Sequence, residues 1–276
     1  MLSTIKAADG IELATEHHLV PGCRGRLVIV HGYAEHKGRY GELVGRLVAA
    51  GYQCHLLDLR GHGRSGGPRG HVARFEEYRT DLERFLVEVQ TFAAPPAPLL
   101  LLGHSLGGLI ALDFVLHRPE VFDSLAVSSP FLAPALKIPF LKRTLLPLVA
   151  NFFPGLAVQS GLRPTWLSHD PQVVHAYEAD PLVFSTVTLG WFVAVRNGQQ
   201  EVFNRAGEFR TPILALIGDA DAIANPNRTR SLFERLGSEP KRLIAYPGLF
   251  HEVFNEIERG RVVADLLAWL GERTTR

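Results

Sequence analysis

Gly103-His104-Ser105-Leu106-Gly107 sets a serine between two glycines in the pattern G-x-S-x-G. A serine hydroxyl is no nucleophile at neutral pH unless a base takes its proton. The residues before it, Leu99 to Leu102, read as a short apolar strand, and those after it, from Leu106, as a helix. A strand-to-helix turn this sharp forces strained backbone angles and close approach to neighbouring chain, and glycines two residues either side of the serine relieve that crowding. The turn would hold the Ser105 hydroxyl above the sheet edge, at the positive end of a helix dipole. A serine acting only as the N-cap of the helix fits the same five residues, so the reading rests on its context.

The base belongs late in the chain, beyond the last strand. Arg242 to Tyr246 reads as that strand, and Pro247-Gly248-Leu249-Phe250 leads from it to His251. A third group must hold the imidazole in the right tautomer and stabilise the imidazolium. It is expected after the penultimate strand, where Gly218-Asp219-Ala220-Asp221 offers two aspartates. Asp221, three residues past the glycine, is the preferred partner, with Asp219 kept open as an alternative to its turn-forming role. The order Ser105, Asp221, His251 is the one expected when G-x-S-x-G opens an α/β sheet. Acyl transfer also needs donors aimed at the developing oxyanion. The expected pair is the backbone N–H of Leu106 and that of Tyr33, on the loop after the strand Leu27 to His31. This chemistry requires no metal or cofactor.

Those placements demand a sheet. Apolar runs at Leu27 to His31, Gln53 to Asp58, Leu99 to Leu102, Ser124 to Ser128, Pro212 to Gly218 and Arg242 to Tyr246 alternate with amphipathic helical patterns, such as Phe75 to Phe92. Two earlier strands, Ser3 to Ala7 and Glu12 to Leu19, meet across Asp9-Gly10, a hairpin-type turn. The fold expected is α/β, a mostly parallel sheet with helices on both faces. Alternation stops at Pro130 and resumes near Pro212. Residues 1–130 and 206–276 are therefore read as the core and 131–205 as a mostly helical cap over the carboxyl edge, where open α/β sheets bind ligands. An extra layer packed away from any site is the other reading of 131–205.

Composition narrows the function. Across 276 residues, 29 Lys+Arg against 28 Asp+Glu leave a net charge of +1, with 46% hydrophobic residues. That excludes disorder and gives no basic stripe for nucleic acid. Cys23 and Cys54 make neither a disulfide framework nor a zinc site. The first residues, MLSTIKAADG, lack the cationic and apolar regions of a secretory signal, so a cytoplasmic protein is expected. Ala93 to Leu112 and Thr144 to Leu162 are free of Asp, Glu, Lys and Arg, but prolines and glycines interrupt both, and neither reads as a spanning helix. The second, preceded by Lys137, Lys142 and Arg143, is read either as a cap helix buried over the pocket or as a surface in transient contact with a membrane or micelle. Gly61-His62-Gly63-Arg64-Ser65-Gly66 matches G-x-G-x-x-G, yet Gly67-Pro68 follows and no helix begins before Phe75, which argues against a dinucleotide site.

Four motifs together, His31-Gly-Tyr-Ala-Glu-His-Lys-Gly-Arg-Tyr40, Asp58-Leu-Arg-Gly-His-Gly-Arg-Ser65, Gly103-His-Ser-Leu-Gly-Gly108 and Tyr246-Pro-Gly-Leu-Phe-His-Glu252, resemble the monoacylglycerol lipase/lysophospholipase group of α/β-hydrolases. That group carries the serine aminopeptidase-type hydrolase domain, and the resemblance runs over roughly residues 10 to 270. It implies an α/β-hydrolase fold, Ser105 as nucleophile with Asp221 and His251, backbone donors at Tyr33 and Leu106, and residues 131–205 as the cap. It also implies that Glu35, Arg39 and His104 contribute to substrate binding at the polar end of the pocket. Where relatives that cleave monoacylglycerols usually have a small residue, this chain has Tyr33, whose ring is expected to narrow the acyl entrance. The activity expected is hydrolysis of a small-molecule ester or lipid through an acyl-enzyme. Amide hydrolysis from a free amino terminus is the alternative, and it would need Glu35 or Glu178 as an anchor for the substrate ammonium. A non-catalytic protein that has kept the fold is a third reading. Dehalogenase or epoxide hydrolase chemistry wants a carboxylate where Ser105 stands.

Overall fold

The structure is a computed structural model and describes residues 1–92, 97–136 and 147–274. β1 (Leu2–Lys6) turns at Asp9-Gly10 and returns as β2 (Glu12–His18), with Lys6 opposite Glu12. Gly10 supplies the turn with φ 86°, a conformation that costs glycine little. β3 (Gly25–Val30) leads through a short turn to helix α1 (Gly41–Ala49), which buries Leu43, Val44 and Leu47. Next come β4 (Tyr52–Leu57), α2 (Glu76–Thr91), β5 (Leu99–His104), α3 (Leu106–His117) and β6 (Ser124–Ser128).

After β6 the alternation breaks, and the chain runs through 147–152 (helical), β7 (Ala157–Gln159), α4 (Pro171–Ala179), β8 (Thr186–Thr188) and α5 (Leu189–Asn204). It then resumes with β9 (Ile213–Gly218), α6 (Pro226–Arg235), β10 (Lys241–Tyr246) and α7 (Arg259–Thr274). Eight strands form one sheet in the order β1-β2-β4-β3-β5-β6-β9-β10, parallel from β4 to β10 with β2 antiparallel to both of its neighbours. This is the mostly parallel α/β sheet expected. The antiparallel pair β7-β8 stands apart from it, and β7 is fully exposed, which is why no buried apolar run announces it.

Strand residues alternate between two cores because successive side chains point to opposite faces. Val28, Val30, Leu101 and Ala215 face the side packed by α2, α3, α5 and α6, whereas Leu27, Ile29, Leu102 and Leu216 face α1 and α7. α3 is buried on every side from Leu106 to Leu116, so it carries no polar stripe. It sits beneath both the sheet and α5, which fixes the helix that begins at the serine.

The glycine-rich turn Gly61 to Gly66 is a structural corner. Asp58 accepts from the backbone of Lys37 (2.8 Å) and Arg64 (2.9 Å) and from Lys37 Nζ (2.8 Å). A Cβ at Gly63 would collide with that carboxylate. Its backbone has no helix N-terminus to offer a pyrophosphate.

Candidate active site

β5 runs directly into α3, and Ser105 takes the turn with φ 52° and ψ −115°, a strained pair for a residue bearing a Cβ. Three backbone bonds hold it there: its N–H donates to Ser128 O (2.9 Å), and its carbonyl accepts from Leu109 (3.1 Å) and Phe131 (2.9 Å). The flanking glycines are sterically required. A Cβ at Gly103 would strike the carbonyl of Gly107, and one at Gly107 the carbonyls of Val30 and His31. The Ser105 hydroxyl makes no cap bond to α3, so the N-cap reading does not account for it.

Ser105 Oγ lies 2.9 Å from His251 Nε2, and His251 Nδ1 lies 2.7 Å from Asp221 Oδ2. With a carboxylate as its partner, Nδ1 carries the proton, and Nε2 is left to accept from the serine. The other Asp221 oxygen, Oδ1, accepts from the N–H groups of Ile223 (2.7 Å) and Ala224 (2.9 Å), which orients the carboxylate. Asp219 Oδ1 is occupied by Gly248 N–H at 2.6 Å, a turn contact across the two strand ends. All three of Ser105, Asp221 and His251 are buried. Burial pushes the His251 pKa down, but the Asp221 charge and hydrogen bond, with Glu252 and Glu35 beyond, outweigh it and raise the pKa above 6.5.

The loop after β3 comes against the serine: a Cβ at Gly32 would stand 3.2 Å from Ser105 Cβ. Glu35 shapes this loop. Its Oε1 accepts from Gly32 N–H (2.6 Å) and Tyr40 Oη (2.8 Å), and its Oε2 from Arg39 Nη1 (2.7 Å). Although burial favours its neutral form, the positive charge of Arg39, its histidine neighbours and the Gly32 N–H hold its pKa at about 2. Arg39 also reaches Glu252, Nη1 to Oε1 at 2.5 Å and Nη2 to Oε2 at 2.9 Å, under the ring of Tyr177 from α4. The Glu35–Arg39–Glu252 chain thus ties the loop of Tyr33 to the loop of His251. Sequence reasoning gives Glu252 no role, and its place directly after His251 is the one signal that points to it.

A cavity of about 840 Å³ opens over Ser105 and His251, walled largely by apolar side chains of segment 131–205, among them Phe131, Trp166, Trp191 and Val195. Glu35, His104 and Tyr33 line it as well, whereas Arg39 stands behind them with its guanidinium between two carboxylates. His104 Nδ1 is 3.1 Å from Ser128 Oγ, and burial, reinforced by the nearby His251, pushes its pKa down to about 4. The Tyr33 hydroxyl donates to Thr186 O (2.6 Å), and its ring lies 4.1 Å from that of Trp191, so it props β8 and α5 against the sheet edge. Leu106 begins α3, and first-turn N–H groups have no acceptor within their own helix. The histidine loop is held from above, with Glu252 N–H donating to Leu167 O (2.8 Å).

Elsewhere, Asp113, His117 and Glu201 cluster closely enough to suggest a metal site. Arg79 and Arg205 already occupy these groups, with Arg79 Nη1 2.8 Å from Asp113 and Arg205 Nη1 3.2 Å from Glu201. The donor set suits an ion-pair network better than a cation.

Comparison with known proteins agrees with this architecture. The family described as serine aminopeptidase, S33 matches residues 22–258. A monoacylglycerol lipase of Mycolicibacterium smegmatis is 36% identical over 248 residues, covering 90% of this chain and 88% of its own. Phospholipase YtpA of Bacillus subtilis is 29% identical over 239 residues, covering 84% and 90%. The crystal structure of Paleococcus ferrophilus monoacylglycerol lipase superposes with a TM-score of 0.87 at 33% identity, over 95% of this chain and 99% of that one. The chain belongs to the serine aminopeptidase, S33 family, and within it to the monoacylglycerol lipase group of α/β-hydrolases.

Proposed function

We propose that this α/β-hydrolase cleaves carboxylic esters of lipid type, of the monoacylglycerol or lysophospholipid class, through an acyl-enzyme on Ser105. The observation that carries the reading is the Ser105 hydroxyl, 2.9 Å from His251 Nε2, at the floor of an 840 Å³ apolar cavity. Nε2 takes the hydroxyl proton as Oγ bonds to the ester carbonyl carbon, and the carbonyl oxygen becomes an oxyanion facing the N–H groups of Tyr33 and Leu106. The C–O bond to the alcohol breaks, and His251 returns the proton to the departing oxygen. Water then attacks the acyl-enzyme by the same route and releases the acid. Residues 131–205 serve as the cap that shields the acyl chain.

Anchoring a substrate ammonium has less support. Glu35 already holds three donors, the Arg39 cation among them, and Glu178 is exposed and absent from the cavity wall.

Contact with a membrane or micelle is supported by the described part of Thr144 to Leu162. Leu148, Phe152, Phe153 and Leu156 are exposed, Phe152 by 78% and Phe153 by 63%. Monomers rarely leave so many large apolar groups together in water. Lys137, Lys142, Arg143 and residues 144–146 lie outside the described residues. No helix among the described residues is long and apolar enough to cross a membrane.

The test is a hydrolysis panel of monoacylglycerols, lysophosphatidylcholine, p-nitrophenyl esters of graded length and an aminoacyl p-nitroanilide, with Ser105→Ala as control. Ester turnover that vanishes in the variant is expected. A panel led by the anilide, or unaltered rates in the variant, overturns the reading.

A further inference from the structure

The catalytic cavity has a second polar region that ester cleavage leaves unused. Arg196 and Arg228 both line it. Arg196 projects from the α5 face that also turns Phe192, Val195 and Gln199 into the cavity, spaced as one stripe of a helix. Arg228, in the first turn of α6, lays its guanidinium 3.3 Å over the ring of Phe203. Phe203 lies on α5 two turns beyond Arg196, about 10 Å along the axis, within the combined reach of two arginine side chains.

Neither guanidinium pairs with a carboxylate among the described residues. The nearest acid on α5, Glu201, is engaged by Arg205 and His117. Residues 93–96, 137–146 and 275–276, which lie outside the description, include no Asp or Glu. The carboxylates that do line the cavity, Glu35 and Glu252, are both held by Arg39. Burial and the nearby Arg235 lower the pKa of Arg228, the mark of a cation short of a counter-charge. Among the described residues, the unpaired charge that the cavity wall carries is therefore positive and comes from α5 and α6. Guanidinium groups in an apolar, partly desolvated wall bind phosphate and carboxylate through directed, charge-assisted hydrogen bonds.

We propose that Arg196 and Arg228 form an anion subsite in the catalytic cavity, which takes an ester carrying a phosphate or carboxylate away from its scissile carbonyl. The proposal rests on the ester-hydrolase reading and adds to it the charge class of the substrate.

The test compares the wild-type protein with Arg196→Gln/Arg228→Gln on two substrate pairs, each differing by one anionic group. One pair is a monoacylglycerol and the lysophosphatidic acid of the same acyl chain; the other is p-nitrophenyl octanoate and the p-nitrophenyl monoester of octanedioic acid. The charged-to-neutral ratio of kcat/KM is expected to fall at least tenfold in the double variant for one pair. The pair that moves tells whether the anion sits on the alcohol or the acyl side. Ratios that stay the same for both pairs overturn the proposal and leave two solvated cations. A binding measurement keeps this outcome separate from failure of the hydrolase reading. Ser105→Ala protein, with and without the two glutamines, is titrated with decyl phosphate, decanoate and 1-decanol and followed by the fluorescence of Trp166 and Trp191 in the cavity wall. Tenfold weaker binding of an anion, beyond any change for decanol, supports the subsite; equal shifts for all three ligands overturn it. If the wild-type protein cleaves none of the four esters, the hydrolase reading fails, and the titration decides the subsite alone.

Discussion

The His251 imidazole sits between a carboxylate that favours its charged form and an interior that disfavours it, and the carboxylate prevails. In the proposed role of base it must be neutral, so a raised pKa moves the acid limb of activity upward. On a soluble ester, kcat/KM is expected to rise with pH with a midpoint above the ordinary value of 6.5. A profile flat down to pH 4 would contradict the role. Asp221→Asn removes the charge and the means of fixing the tautomer, so the midpoint drops and kcat falls by about 10⁴-fold, the scale seen when other triads lose this carboxylate. The same experiment on Asp219 separates the two aspartates. Asp219→Asn keeps an acceptor for Gly248 N–H and leaves kcat within about threefold, because surface substitutions away from such a feature change little.

At the scale of elements, the site is made by loops that must meet at fixed positions. The first turn of α3 passes the end of β3 so closely that no side chain fits at Gly107, where a Cβ would strike the carbonyls of Val30 and His31. Gly107→Ala is expected to destabilise the fold by about 3 kcal/mol or more, because the obstacle is backbone and cannot rotate away. Urea unfolding followed by tryptophan fluorescence measures it, and a cost under about 1 kcal/mol would show that the turn can open. The second element-level device is Arg39. Arg39→Met would leave the buried carboxylates of Glu35 and Glu252 without their cation, a loss of about 3–5 kcal/mol. Arg39→Lys does not rescue it fully, since one ammonium cannot reproduce the bidentate contact with Glu252. Unfolding midpoints of the two variants test this, with the order wild type, Lys, Met expected.

Over the whole molecule, the apolar band of 147–158 lies on the segment that also walls the cavity. Phe152→Ser/Phe153→Ser removes two exposed rings that contact little in the folded protein. Turnover of micellar or vesicular monoacylglycerol is expected to fall several-fold, while hydrolysis of p-nitrophenyl acetate changes by less than about twofold, because only the first substrate requires docking to an interface. Equal losses on both would place the rings in the catalytic machinery instead of at an interface. The proposed arginine subsite belongs to the same scale, since its two guanidiniums come from helices on either side of β9 in the chain.

Local regularities were readable in the amino-acid order. The strands of the main sheet, its helices, the hairpin at Asp9-Gly10 and the serine turn follow from period 2, period 3.6 and glycine placement, which are properties of near neighbours, whereas the exposed β7 gives no such pattern. The order Ser105, Asp221, His251 was likewise legible, because each stands at the end of a legible strand. Other features waited for the fold. The choice between Asp221 and Asp219, two residues apart, turns on which carboxylate the β9 turn aims at an imidazole from another loop. The Glu35–Arg39–Glu252 tie, the exposure of Phe152 and Phe153 and the two arginines that have no carboxylate partner among the described residues depend on contacts between distant segments. A one-dimensional pattern shows which charges and rings exist; only the packed chain decides which of them are cancelled, covered or left facing a ligand.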